Sequence, residues 1–280
     1  MRTTGAQYSV RPLDLSMKST KVAGMSLFPP DSSLVAEVVP SPNHDERKDG
    51  LPPDMIVLHY TGMQDDNAAV ERLCSTQARV SCHYVVFDDG RILQLVQEAR
   101  RAWHAGVSSW EGAVDNNSRS IGIEICNPGH DFGYPEFPRR QIAAVIALCR
   151  GILTRRRQIS PDHVLAHSDV APARKQDPGE KFPWKLLYES GVGHWVPPAP
   201  IIEGPRLAPG DIGEHVRNLQ KVLASYGYSV PETGIFDETT REVVVAFQRH
   251  FRPERVDGIA DTSTIATLNA LVSSKPARPA

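Results

Sequence analysis

No segment of the chain supplies the roughly 18 consecutive apolar residues that a membrane-spanning helix needs. The first thirty residues also lack the apolar core of a signal peptide, because Arg2, Arg11, Asp14, Lys18 and Lys21 interrupt every apolar run there. A dominant charge is missing too. With 31 basic and 33 acidic residues the formal net charge is -2, too weak to draw in nucleic acid or an anionic membrane surface. Cysteine is scarce. Cys74, Cys82, Cys126 and Cys149 are the only four, and none forms a C-x-x-C pair, which argues against a cysteine-rich structural zinc site. Buried, reduced thiols are expected, a usage that fits a reducing compartment. What remains is the composition of a soluble globular protein, 40% hydrophobic and 23% charged. The 280 residues suit one medium domain plus a small accessory one.

Residues 1–50 read as a partly disordered or peripheral arm, since 41–50 is polar and turn-rich. Ordered structure is expected to begin near Met55, where Met55–Tyr60 reads as a buried strand. Asp65 or Asp66 can cap a helix running to about Gln77. Cys82–Phe87 and Arg91–Val96 flank Asp88-Asp89-Gly90, a hairpin signal. Ile121–Cys126 and Val164–Ala166 read as strands, and Arg139–Arg157 as a long helix with a near 3.6-residue apolar period. Arg155-Arg156-Arg157 reads as the solvated end of that helix. Alternating strands and helices predict an α/β (α+β) domain over 51–195, with a mixed central sheet flanked by helices.

Val196–Asp211 carries five prolines, so 196–210 reads as an extended, semi-rigid linker. Residues 211–272 then offer three amphipathic helical faces, built on Val216, Leu219, Val222 and Leu223; on Val243, Val244, Phe247 and Phe251; and on Ile265, Leu268 and Leu271. Gly234-Ile235-Phe236-Asp237-Glu238-Thr239-Thr240 is echoed by Gly258-Ile259-Ala260-Asp261-Thr262-Ser263-Thr264. In each copy the Gly permits a sharp turn and the Asp can cap the next helix. Separate apolar faces and a linker imply that residues 1–204 fold alone.

His59 ends the first strand, His167 follows Val164–Ala166, and Asp177 lies in the turn-forming run Lys175-Gln176-Asp177-Pro178-Gly179. Two His and one carboxylate are a common catalytic zinc set that leaves a fourth position open. The spacing alone is weak, and a lone His ending a strand is more often a hydrogen-bonded structural residue. Glu124 adds weight. It sits among apolar or small neighbours in Ile121-Gly122-Ile123-Glu124-Ile125, where an ionised carboxylate needs an arginine partner or a role beside a metal. Lys175 reads either as an oxyanion-stabilising cation or as a solvated surface lysine.

Five ordered blocks then carry a resemblance. They are Val57-Leu58-His59-Tyr60-Thr61, Ser81-Cys82-His83-Tyr84, the run Ala102-Trp103-His104-Ala105-Gly106 to Trp110, Ser120-Ile121-Gly122-Ile123-Glu124, and Ala166-His167-Ser168-Asp169 to Gly179. Over about residues 51–190 the chain resembles the zinc N-acetylmuramoyl-L-alanine amidases of the type-2 amidase family. That family includes the anhydromuropeptide-recycling amidase, the phage T7-type lysozyme and the peptidoglycan recognition proteins. The resemblance implies Zn2+ held by His59, His167 and Asp177, with Glu124 and Lys175 catalytic. It implies Arg174, Trp103 and Tyr60 as substrate contacts and His83 and His104 as structural or wall-lining. Cys82 stands where T7-type members carry a catalytic tyrosine. Residues 210–272 resemble the three-helix peptidoglycan-binding domain of cell-wall hydrolases.

The implied activity is hydrolysis of the bond between N-acetylmuramoyl, or its anhydro form, and L-alanine, with peptidoglycan or muropeptides as partners and no protein partner implied. The rival is a non-catalytic peptidoglycan binder on the same fold. A glycosidase would need two carboxylates flanking a sugar bond, and one is visible beyond the zinc set. The cytoplasm is the expected location, with the periplasm as alternative. His44, His130, His163, His194, His215 and His250 show no partner pattern.

Overall fold

The computed structural model describes residues 28–276. The expectations for residues 1–27 lie outside the described residues. In chain order the strands are β1 (Glu37–Val38), β2 (His44–Glu46), β3 (Met55–Tyr60), β4 (Tyr84–Val86), β5 (Ile92–Gln94), β6 (Arg100–Ala102), β7 (Ser120–Ile125) and β8 (Val164–Ala166). The helices are α1 (Asp66–Cys74), α2 (Asn116–Arg119), α3 (Arg139–Arg155), α4 (His167–Val170), α5 (Trp184–Glu189), α6 (Glu214–Tyr226), α7 (Glu238–Phe251) and α8 (Thr262–Ser273).

Six strands make one sheet in the order β1-β5-β4-β7-β3-β8, parallel except at β4–β5. This is the mixed α/β sheet expected. The antiparallel pair is the hairpin around Asp88-Asp89-Gly90. Asp65 caps α1 by accepting from the N–H groups of Asn67 and Ala68.

Order begins earlier than Met55. Glu37–Val38 form a parallel edge strand beside β5, and β2 pairs with β6. Arg47 is buried and donates to the carbonyls of Glu98, Asn117, Ser118 and Ser120. The polar tract 41–50 misled because Ser41, Asn43 and Arg47 donate to backbone carbonyls inside the protein rather than to water. The helix end Arg155–Arg156 is likewise not merely solvated. Arg155 and Arg156 clamp Glu98, which is fully buried, at 2.6 and 3.1 Å, and an ionised carboxylate needs such partners when out of water.

Side chains alternate across a strand, so the sheet has two differently covered faces. Ile56 and Leu58 of β3, with Ile121, Ile123 and Ile125 of β7, pack against Ile142, Val145, Leu148, Cys149 and Ile152 of α3. Met55 and Val57 face the other way, into one cluster with Trp110, Leu165, Val170 and the apolar faces of α6, α7 and α8. The C-terminal helices therefore share a core with the sheet, which argues against the expectation that 1–204 folds alone. Gly227, at φ +145°, lies so close to the Trp110 indole that a Cβ there would come within 2.5 Å of it.

The linker is also corrected. Ala199 accepts from Ser263 Oγ and donates to Thr267 Oγ1, and Leu207 bridges to Ala260, so 196–210 is strapped across the helices. The two echoed turns behave alike. Gly234 and Gly258 both have φ near +75°, and Asp237 and Asp261 cap α7 and α8 through the N–H groups of Thr240 and Thr264.

Candidate metal centre and active site

Parallel pairing of β3 with β7 sets His59 beside Glu124, on the sheet face away from α3. The chain leaving β8 turns at once into α4, whose first residue is His167. Asp177 returns to the same turn, where its carbonyl accepts from Ser168 N–H. Three buried donors converge. His59 Nδ1 and His167 Nδ1 are 2.9 Å apart, and Asp177 Oδ2 lies 3.2 and 3.0 Å from them.

The outer hydrogen bonds decide which ring nitrogens carry protons. His167 Nε2 faces the carbonyl of Ala105 at 3.1 Å. A carbonyl only accepts, so Nε2 bears a hydrogen and Nδ1 is the nitrogen turned to the cluster. His59 is fixed through a longer chain. Ser120 Oγ donates to the Asn116 carbonyl. It therefore accepts from His104 Nε2 at 3.1 Å, and His104 Nδ1 in turn accepts from His59 Nε2 at 3.0 Å. His59 Nδ1 is therefore left without a hydrogen and faces the cluster. Burial and the charge of His167 lower the His59 pKa to about 4, so the ring is neutral at pH 7. Burial opposes ionisation of Asp177, but His167 and His59 outweigh it and hold the carboxyl well below its usual range. Two ring nitrogens and a carboxylate oxygen, all buried, thus meet within 3.2 Å of one another. Such a cluster suits a shared cation, and its N, N, O composition suits zinc.

Glu124 is partly exposed, yet its Oε2 is enclosed without a hydrogen-bond partner. Burial, then the Asp177 carboxylate, push its pKa well above the usual range, while Lys175 pulls it down. Among the described residues no arginine pairs with it, and it lines a cavity of about 380 Å³ with Tyr60, Lys175, Asp177 and both cluster histidines. A second groove, about 430 Å³, adjoins it and shares Trp103, His104, His167, Arg174 and Lys175. Trp103 is partly exposed there, its Nε1 held by Asp45 at 2.7 Å. Arg174 is at the rim, but its guanidinium is bound to the carbonyls of Ala105 and Val107. Tyr60 bonds to His130 Nδ1 at 3.1 Å. Cys82 is wholly buried in an apolar cluster, with its thiol pKa pushed up by burial, and lines neither groove.

Sequence reasoning missed how His104 and Gly122 work together. A Cβ on Gly122 would stand 2.4 Å from the His104 ring, so only glycine leaves room for the ring that orients His59. Asp169 was missed as well. It is buried and bonded to Ala166 N–H, closing the turn that presents His167. Its only sequence signal is a position two residues after the histidine.

A sheet presenting a buried His-His-Asp donor set beside a carboxylate is the layout of a metal-dependent hydrolase. Comparison with known proteins makes this specific. Residues 49–180 match the family model described as N-acetylmuramoyl-L-alanine amidase, and residues 212–268 match a peptidoglycan binding domain model. The N-acetylmuramoyl-L-alanine amidase AmiD of Escherichia coli strain K12 is 39% identical over 234 residues, spanning 78% of this chain and 82% of that protein. The chain belongs to the N-acetylmuramoyl-L-alanine amidase family. The crystal structure of AmpDh3 from Pseudomonas aeruginosa aligns with a TM-score of 0.69 at 36% identity, covering 81% of this chain and 94% of that one. A structure of E. coli AmiD with the substrate anhydro-N-acetylmuramic acid-L-Ala-D-gamma-Glu-L-Lys aligns with a TM-score of 0.67 at 35% identity, covering 82% and 97%. Among the described residues no helix is long and apolar enough to cross a membrane.

Proposed function

We propose that this chain hydrolyses the amide bond between anhydro-N-acetylmuramic acid, or N-acetylmuramic acid, and L-alanine in muropeptides, with zinc held by His59 Nδ1, His167 Nδ1 and Asp177 Oδ2. The observation that carries the metal assignment is the convergence of those three buried atoms. When bound, zinc supplies Lewis acidity to water and to the scissile carbonyl. The protein's own residues do the rest. Glu124, beside His59 on the next strand, takes the proton of the attacking water at a carboxylate oxygen and returns it to the leaving amine. Lys175 Nζ meets the negative charge that grows on the carbonyl oxygen.

Substrate orientation falls to the two grooves. The substrate in the AmiD complex carries a D-gamma-Glu residue, so an acidic peptide must be accommodated. Arg79, Lys175 and Arg174 line the second groove and suit that charge, while Trp103 and Tyr60 offer flat apolar surfaces for the sugar. Location belongs to the same proposal. Cytoplasmic work implies soluble anhydromuropeptides and periplasmic work implies intact sacculi, and fractionation of the native protein together with activity on each substrate separates them.

The test is metal analysis with product identification. Purified protein is expected to carry about one zinc per chain and to release free peptide from an anhydromuropeptide. A chelator abolishes the activity and zinc restores it, and His59→Ala, His167→Ala and Asp177→Ala each lose metal. A wild type without zinc, or Asp177→Ala with full zinc and activity, refutes the assignment.

A further inference from the structure

The loop from Ala166 to Asp177 carries two of the three metal donors and Lys175, yet little regular structure holds it. Only α4 interrupts it, and that helix is a single turn. Its anchor is Asp169, whose side chain is fully buried. Asp169 Oδ2 accepts from the Ala166 N–H at 2.7 Å, the local bond that shapes the turn presenting His167. The other bonds to this carboxylate come from far along the chain. His250 Nδ1 on α7 lies 2.6 Å from Oδ2, and Tyr228 OH, just past α6, lies 2.7 Å from Oδ1. Since an ionised carboxylate only accepts, both C-terminal groups donate. Both donors are themselves held. The His250 ring stacks on Trp184 at 3.7 Å and on Phe251 at 3.8 Å, and Tyr228 packs against Trp110 and Phe247. One residue before His250, Arg249 reaches Gln176, between Lys175 and Asp177, at 3.4 Å.

We infer that the C-terminal helical unit is a positioning element of the metal-binding loop, acting through the buried carboxylate of Asp169. His250 and Tyr228 fix Asp169, Asp169 fixes the turn at Ala166, and that turn sets His167 and, through Ser168 N–H, Asp177. The unit thus has a role in the catalytic domain that does not depend on glycan binding. A buried carboxylate with two donors removed would seek others, and the nearest are in the loop itself. Partners one step behind metal ligands commonly set affinity by ~10–100-fold. The inference rests on the zinc assignment proposed above.

The experiment uses the full-length chain and reads zinc affinity by competition with a chromophoric chelator, well below the melting temperature. Tyr228→Phe deletes one donor while keeping the ring. His250→Ala deletes the other, and His250→Asn restores an N–H near the Nδ1 position. Thr240→Ala weakens the same helical unit at a buried site bonded to Gln220 and Asp237, away from Asp169. Tyr228→Phe and His250→Ala are expected to weaken zinc binding about 10-fold and to shift the visible spectrum of the Co2+-substituted protein. His250→Asn recovers much of the loss, and Thr240→Ala lowers the melting temperature with zinc affinity unchanged. Wild-type zinc affinity in both Tyr228→Phe and His250→Ala overturns the inference. So does an equal loss in Thr240→Ala, which would make the effect one of general stability. A wild type that binds no zinc overturns the metal assignment itself, and this inference with it.

Discussion

Cutting the chain after residue 204 removes α6, α7 and α8 and uncovers one face of the sheet. Met55, Val57, Trp110, Leu165 and Val170 share a cluster with those helices, and each is at most 1% exposed. Fully burying a large apolar side chain is worth about 1.5–3 kcal/mol, so uncovering these five costs on the order of 10 kcal/mol. Whole domains are stable by only about 5–15 kcal/mol. Asp169 would also lose two of its donors. The expected outcome is that residues 1–204 are insoluble or lack a cooperative urea transition. The assay is circular dichroism during urea titration, compared with the full chain, together with zinc analysis of whatever soluble protein is obtained. A truncated protein that unfolds cooperatively near the full chain's midpoint and keeps its zinc refutes the shared-core reasoning.

Three further outcomes are expected. Gly122→Ala drives a Cβ into the His104 ring; stability should fall by about 1–3 kcal/mol and zinc affinity about 10-fold, and an unchanged melt and affinity would show that the ring does not orient His59. Glu124→Gln should keep zinc while kcat drops about 10²–10⁴-fold; turnover near wild type returns Glu124 to a structural role. Lys175→Met should lower kcat more than it raises KM, because the charge it meets develops in the transition state, and an effect confined to KM would make Lys175 a substrate contact.

Much of the sheet was legible because β3, β7 and β8 are short apolar runs with turn signals at their ends. The three atoms that converge at the candidate metal site were singled out for a different reason, since the motifs around them are specific while their spacing along the chain is not. Two kinds of feature escaped. Edge pairing by Glu37–Val38 leaves no periodic signal in two residues, and the inward bonds of Arg47 and Asn43 look, in sequence, like a solvated loop. The shared core escaped because an amphipathic face shows that a helix must be covered and not by what. Val243, Val244 and Phe247 were identified as such a face, but only the fold reveals Met55, Val57 and Trp110 in the same cluster. Asp169 and His250 lie 81 positions apart, and no local pattern connects them.

The donor set is divided between two kinds of support. His59 is carried by a strand bonded on both sides, in the middle of the sheet, whereas His167 and Asp177 belong to a loop. Local opening draws on the segments with fewest regular hydrogen bonds, and central strands open only with the whole domain. Opening of that loop would therefore release both of its proposed metal donors while His59 stays on its strand. The rate at which bound metal exchanges with isotope in solution would then track the opening of residues 166–177, as amide hydrogen exchange reports it, and stay indifferent to the much slower unfolding of the sheet.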